Sequence, residues 1–216
     1  MIEIKGIQSK IKPASKTIRD GKLIGIVGVQ GSGKSLTMAY LSAMAYYEGE
    51  KIYSNFHLYG GFDYTYLNNK EDVFNNLNNI RNSSIFVDEF HSYLDAYNWR
   101  DPEVIKFVKN QMVTARRKGN KFIMGNQLKS QFPYRLRTII PLWLVPRIKK
   151  FKRVNGKKIP KIVEVYQVNK DTQEFSTWKY KAEPFLNLYD TYEDFDHILL
   201  SSKETKKISE GLLNEY

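Results

Sequence analysis

The sequence contains no cysteine, which excludes disulfides and thiolate-held metal ions. Its three histidines, His57, His91 and His197, are scattered and lack the spacing of a metal site. No window reaches about 18 uninterrupted apolar residues, and the N-terminus lacks the charged, apolar and small-residue succession of a signal peptide. A soluble, intracellular protein is expected. Acid is missing from one long interval: Val104 to Val163 has no Asp or Glu, yet it holds seventeen of the 34 Lys and Arg residues of a chain with net charge +11. Its densest part is Arg147-Ile-Lys-Lys-Phe-Lys-Arg153, followed by Lys157, Lys158 and Lys161. Such a run is either a solvated basic face or the footprint of a polyanion, whose phosphates release counterions as Lys and Arg approach.

What is present suits a packed domain. With 216 residues, 42% of them hydrophobic, the chain can bury one large core. Residues 1–20 read as an N-terminal arm, 21–200 as the folded domain and 201–216 as a polar tail. Strands are expected at Leu23–Val27, Lys51–Asn55, Ser84–Asp88 and Lys121–Gly125, from their apolar, β-branched content. Helices are expected at Ser35–Tyr47, at Glu71–Ile80, and from Asp101-Pro102 to Arg117 before Gly119. A short helix near Tyr134–Arg137 and a strand at Leu142–Val145 follow. Two late runs, Lys161–Val168 and Glu174–Lys181, suggest an antiparallel hairpin across Asn169–Gln173. The alternation of strands and helices predicts a three-layer α/β domain with a mostly parallel sheet, extended at one edge by that hairpin.

Between the first strand and the first helix lies Gly28-Val29-Gln30-Gly31-Ser32-Gly33-Lys34-Ser35, a Gly-x-x-x-x-Gly-Lys-Ser pattern. The glycines let the loop curl so that its N–H groups face phosphates, and the following helix adds its positive N-terminal end. Lys34 would reach the β- and γ-phosphates, and the Ser35 hydroxyl would ligate Mg²⁺. The candidate cradle comprises these eight residues and Leu36, and ATP with Mg²⁺ is the expected ligand. Ile85-Phe-Val-Asp88-Glu89 supplies the companion carboxylates: Asp88 for the metal ion and Glu89 to polarise the attacking water. Gln127, which ends the strand Phe122-Ile-Met-Gly-Asn-Gln127, reads equally as a γ-phosphate sensor or as an ordinary polar strand end. Arg116 and Arg117 close the preceding helix; they either cap it or reach a neighbouring subunit's nucleotide as an arginine finger.

These features together resemble the FtsK–HerA superfamily of ATPases, in particular its viral genome-packaging and Zot-like members. The resemblance is carried by Gly28–Ser35, Lys51-Ile-Tyr-Ser-Asn55, Ile85-Phe-Val-Asp-Glu-Phe-His91, Ala115-Arg-Arg-Lys-Gly-Asn120, the strand ending in Gln127, and Tyr189-Asp-Thr-Tyr-Glu193. It implies a RecA-like core, Glu89 as base, Gln127 as sensor, and Arg116 or Arg117 as a finger acting across a homo-oligomeric ring, expected to be a hexamer. It also implies double-stranded DNA as the partner, moved into a capsid, with capsid or viral-membrane proteins nearby. The alternatives are a Zot-like filamentous-phage assembly or plasmid-transfer ATPase acting at a membrane, and a nucleotide-dependent switch or scaffold. The location implied is the host cytoplasm or a procapsid vertex. Zot-like proteins carry a membrane span after the ATPase domain; none is found in this sequence, which favours a soluble packaging motor. A loop from Arg147 to Lys161, with Arg147, Lys149, Lys150, Lys152 and Arg153 as the leading contacts, would then line the pore and track phosphates without reading bases.

Overall fold

The computed structural model describes residues 22–68, 72, 80–92 and 118–189. The expected N-terminal arm, the Asp101–Arg117 helix, most of Glu71–Ile80 and the C-terminal tail lie outside the described residues. Eight strands form one sheet: β1 (Leu23–Val27), β2 (Lys51–Ser54), β3 (Tyr64–Tyr66), β4 (Ser83–Val87), β5 (Lys121–Asn126), β6 (Leu142–Val154), β7 (Lys157–Asn169) and β8 (Glu174–Lys181). Their order is β3-β2-β4-β5-β1-β6-β7-β8. Every pairing from β3 across to β6 is parallel, and the last two are antiparallel.

The central strands are apolar throughout because both faces of the sheet are covered. β1, β4 and β5 are buried along their whole length. Successive β1 side chains feed two separate cores. Ile24 and Ile26 pack with helix α1 (Lys34–Tyr47), while Leu23 and Val27 pack with Phe90, Phe132, Trp143 and Leu136 of helix α2 (Tyr134–Ile139). This is the three-layer arrangement predicted. The strand-strand approach depends on Gly25, where a Cβ would lie 2.5 Å from the Trp143 ring. Helix α1 is buried on nearly every side from Lys34 to Ala45, more than a single apolar stripe would require. Tyr40 on it stacks on Tyr180 of β8 at 4.4 Å and meets Phe185 edge-on at 5.0 Å, so the late strands clamp the helix from outside the parallel sheet.

The hairpin expected at the sheet edge is present as β7–β8, with Asn169 opposite Glu174. A second hairpin corrects the sequence reading. The strand expected to end at Val145 continues to Val154, and Arg147–Lys161 is no loop: β6 and β7 pair antiparallel along most of their length. They turn through Asn155-Gly156, whose φ angles of 50° and 80° suit the two-residue turn that matches strand twist. β6 runs parallel to β1, with Leu144 level with Ile26. The remaining residues to Val154 therefore carry the hairpin past the end of β1, by at most about 30 Å at about 3.3 Å per residue and by less where the irregular register from Ile148 to Phe151 bends it. It projects on the side of the sheet where β1 and β4 deliver Gly28 and Asp88.

Candidate nucleotide-binding site

The Gly28–Ser35 loop curls between β1 and α1 and is tied at several points. Gly28 N–H donates to the Gln127 carbonyl at 3.2 Å, and Ser32 N–H to the Val29 carbonyl at 3.1 Å. Gly31 and Gly33 have φ of 73° and 98°, a backbone open to glycine and strained for other residues. A Cβ on Gly28 would meet Ser32 Oγ at 2.5 Å, so the curl also needs the missing side chain for space. Lys34, 5% exposed, folds its Nζ back to the Val29 carbonyl at 3.3 Å. Leu36 is fully buried in the core, so its side chain is structural.

The decisive contact joins the two motifs. Ser35 Oγ donates to Asp88 Oδ2 at 2.7 Å, linking the start of α1 to the end of β4, 53 residues apart in sequence. β5 lies between β1 and β4, so its last residues line the gap. Gly125 is one of them: a Cβ there would lie 2.7 Å from Asp88 Oδ1 and would strike Met38 Cε. The other Asp88 oxygen, Oδ1, accepts the Glu89 N–H at 2.9 Å. Glu89 is exposed at this edge with φ 46°, a left-handed conformation that costs a non-glycine residue about 1–3 kcal/mol. Side-chain amides hold the turn on either side. Asn55 Oδ1 accepts the Asp88 N–H at 2.7 Å, and Asn55 Nδ2 donates to the Asp88 carbonyl at 2.9 Å. Asn126, fully buried, accepts the His91 N–H at 2.9 Å and faces His91 Nδ1 at 3.1 Å.

The residues present fit a magnesium nucleotide. Ser32 Oγ is buried and has no hydrogen-bond partner among the described residues, which is the state of a donor waiting for an oxygen ligand. Ser35 and Asp88 offer the hard oxygens that Mg²⁺ prefers. Among the described residues no group of three His, Cys, Asp or Glu could hold a metal ion. Two side chains completed by water and phosphate oxygens are the usual Mg²⁺ arrangement.

The remaining sequence candidates divide. Gln127 is exposed just past β5, and the buried polar end of that strand is Asn126. Arg116 and Arg117 lie outside the described residues. In the basic hairpin, three of the five chosen cations already have carboxylate partners. Arg147 Nη2 lies 3.7 Å and Lys149 Nζ 3.0 Å from Glu164, which Lys179 also reaches at 3.1 Å, and Lys152 pairs with Glu183. Glu164 directly follows the acid-free interval and neutralises part of it. Burial alone would raise the Glu164 pKa, but hydrogen bonds from Lys149 and Lys179 outweigh that and hold it below its ordinary value. Lys150 and Arg153 are exposed, with no carboxylate partner among the described residues. The hairpin is also rooted on the loop. A Cβ on Gly33 would lie 3.5 Å from Ile148 of β6 and 3.8 Å from Val163 of β7. On α1, Thr37 Oγ1 donates to the Gly33 carbonyl at 2.8 Å and lies 3.0 Å from Tyr180 OH of β8. Its one hydrogen is already committed, so Tyr180 is the donor, and burial keeps that phenol protonated.

No protein-family model matches the sequence, and no curated protein matches it. Solved structures do. The N-terminal domain of zonular occludens toxin from Neisseria meningitidis is 17% identical over 79% of this chain and 99% of its own, with a TM-score of 0.53. The genome packaging NTPase of Sulfolobus turreted icosahedral virus 2, solved with AMPPCP, is 12% identical over 74% of this chain and 98% of its own, with a TM-score of 0.53. The DNA-packaging ATPase of Sulfolobus turreted icosahedral virus is 11% identical over the same shares, with a TM-score of 0.52. The chain shares their fold. It is the fold implied by the resemblance to the packaging and Zot-like branch, and at these identities the likeness is one of backbone architecture. No helix among the described residues is long and apolar enough to cross a membrane.

Proposed function

We propose that this chain is an ATP-driven DNA translocase that packages viral double-stranded DNA into a preformed capsid, working as a ring in the host cytoplasm or at the procapsid vertex. The observation that carries the ATPase half is the 2.7 Å bond between Ser35 and Asp88, which brings the phosphate loop and the acidic strand end into one site. Lys34 would hold the β- and γ-phosphates, and the backbone N–H groups of the loop would orient them. Ser35 and Asp88 would hold Mg²⁺, which when bound neutralises phosphate charge. Glu89 accepts the proton of the attacking water, as its place beside Asp88 at the open edge allows. Gln127 serves as sensor and Arg116 or Arg117 as the finger from the next subunit.

The DNA half is supported by the basic hairpin, which projects from this same edge and packs its root against Gly33. Its exposed cations, Lys150, Arg153 and Lys157, suit phosphates rather than base edges. The test is turnover with and without duplex DNA. Lys34→Ala and Glu89→Gln are each expected to lower kcat by about 10²-fold or more, and duplex DNA is expected to stimulate the wild type. Strong hydrolysis indifferent to any DNA at low salt would refute translocation. A second reading, a Zot-like ATPase acting at a membrane on single-stranded DNA, is favoured by the likeness to the zonular occludens toxin domain. Preference for single strands, or dependence on a membrane partner, would select it.

A further inference from the structure

We propose that Asn55 and Asn126 are positioning residues that hold the Asp88–His91 turn and so aim Glu89 at the attacking water. This rests on the ATPase reading above. Glu89 follows a buried strand, yet it is exposed and held at φ 46°, a left-handed conformation that costs a glutamate about 1–3 kcal/mol and that bonds from its surroundings must offset. Within the turn itself, Ser92 N–H donates to the Glu89 carbonyl at 2.9 Å and Glu89 N–H to Asp88 Oδ1 at 2.9 Å. Those local bonds cannot set the orientation of the turn's backbone against the sheet.

The two asparagines supply what is missing, and they come from the strands on either side of β4. Asn55 follows β2. Its own N–H donates to the Phe86 carbonyl at 3.2 Å, which extends the β2–β4 pairing by one residue. Its side-chain amide then matches the Asp88 peptide with two bonds, 2.7 and 2.9 Å, as a neighbouring strand would. Asn126 ends β5. A backbone N–H can only donate, so the bond from His91 N fixes Asn126 Oδ1 toward His91 and makes the ring Nδ1 the second donor to the same oxygen. Asp88 is thus pinned from β2 and His91 from β5, with Glu89 between them. Neither asparagine belongs to the Gly28–Ser35 loop.

A positioning role separates turnover from binding. Asn55→Ala is expected to lower kcat by about 10- to 100-fold, as a misplacement near 1 Å does, while KM and the affinity for a fluorescent ATP analogue stay within about threefold. In a Glu89→Gln background the same substitution is expected to have little further effect, because the group it aims is gone. Asn126→Ala is expected to behave in the same way. His91→Ala, which keeps the backbone bond, is expected to retain most activity. Asn55→Ser, which keeps a hydroxyl able to accept from Asp88 N–H, is expected to fall between wild type and Asn55→Ala, and it decides the matter should the alanine variant not fold. The proposal fails if kcat is unchanged, if the loss appears in nucleotide affinity instead, or if the losses simply multiply in the double variant. An inert wild type would sink the ATPase reading and this proposal with it; an active wild type with an unaffected Asn55→Ala would sink this proposal alone.

Discussion

Gly125→Ala tests whether Asp88 is held rigidly. The added methyl would stand 2.7 Å from Asp88 Oδ1 and against Met38 Cε. Methionine has three rotatable bonds and can swing its methyl aside at little cost. Asp88 cannot yield so cheaply: Ser35 holds Oδ2 at 2.7 Å, Glu89 N–H holds Oδ1 at 2.9 Å, and Asn55 holds its backbone. Relief of the clash therefore breaks a hydrogen bond to a charged group, worth about 1.5–3 kcal/mol. Replacing a strand glycine by alanine returns roughly 0.5–1 kcal/mol. The net expectation is a loss of about 0.5–2.5 kcal/mol, or a fall in Tm of roughly 1–10 °C for a domain of this size. Thermal unfolding measures that, and steady-state hydrolysis should show kcat falling by about tenfold or more with the displaced carboxylate. Adding Met38→Ala should relieve only the methionine part, so turnover should stay low in the double variant. A Gly125→Ala protein as stable as wild type, with kcat within twofold, would refute the claim that Asp88 is fixed.

Two further outcomes follow from the hairpin. Replacing Lys150, Arg153 and Lys157 together by alanine should lower the slope of log affinity against log salt for duplex DNA by about 2.7, at roughly 0.9 per phosphate contact. Anisotropy titrations between 50 and 200 mM salt, both values about those where the effect is large, would read this as a roughly 40-fold change in salt sensitivity; an unchanged slope removes these residues from the interface. Glu164→Gln should destabilise the domain by about 1–3 kcal/mol at neutral pH, since Arg147 and Lys149 lose their shared carboxylate. The Glu164 pKa is depressed in the folded state, so its contribution is full above the unfolded value of about 4.3 and is lost as pH falls through the lower native value. Denaturation curves of the two proteins should therefore converge in acid; a gap that persists there would show that the loss is one of packing.

The local features of this protein were legible because each is written in neighbouring residues. The loop Gly28–Ser35 is a contiguous pattern with a strand before it and a helix after it, and both are found where expected. The parallel strands were equally plain, since burial on both faces leaves continuous apolar runs such as Leu23–Val27. The β6–β7 hairpin was open to discovery through Asn155-Gly156, but lysines and arginines on its flanks hid the strand period and made it read as a loop. Other features had no local signal. That Glu164 draws on Arg147, Lys149 and Lys179 depends on strand register, which sets opposite one another residues far apart in the chain. Asn126, one position before Gln127, is the buried residue facing the Asp88–His91 turn, and which of two adjacent strand residues faces a given side is set only by the sheet. Sequence alone determined that a Gly-x-x-x-x-Gly-Lys-Ser loop and a pair of acids exist. Only the tertiary structure decided that β5 separates them, that Gly125 makes room for Asp88, and that Asn55 and Asn126 bond Asp88 and His91 on either side of Glu89, because those relations arise from strand order and close packing rather than from neighbours along the chain.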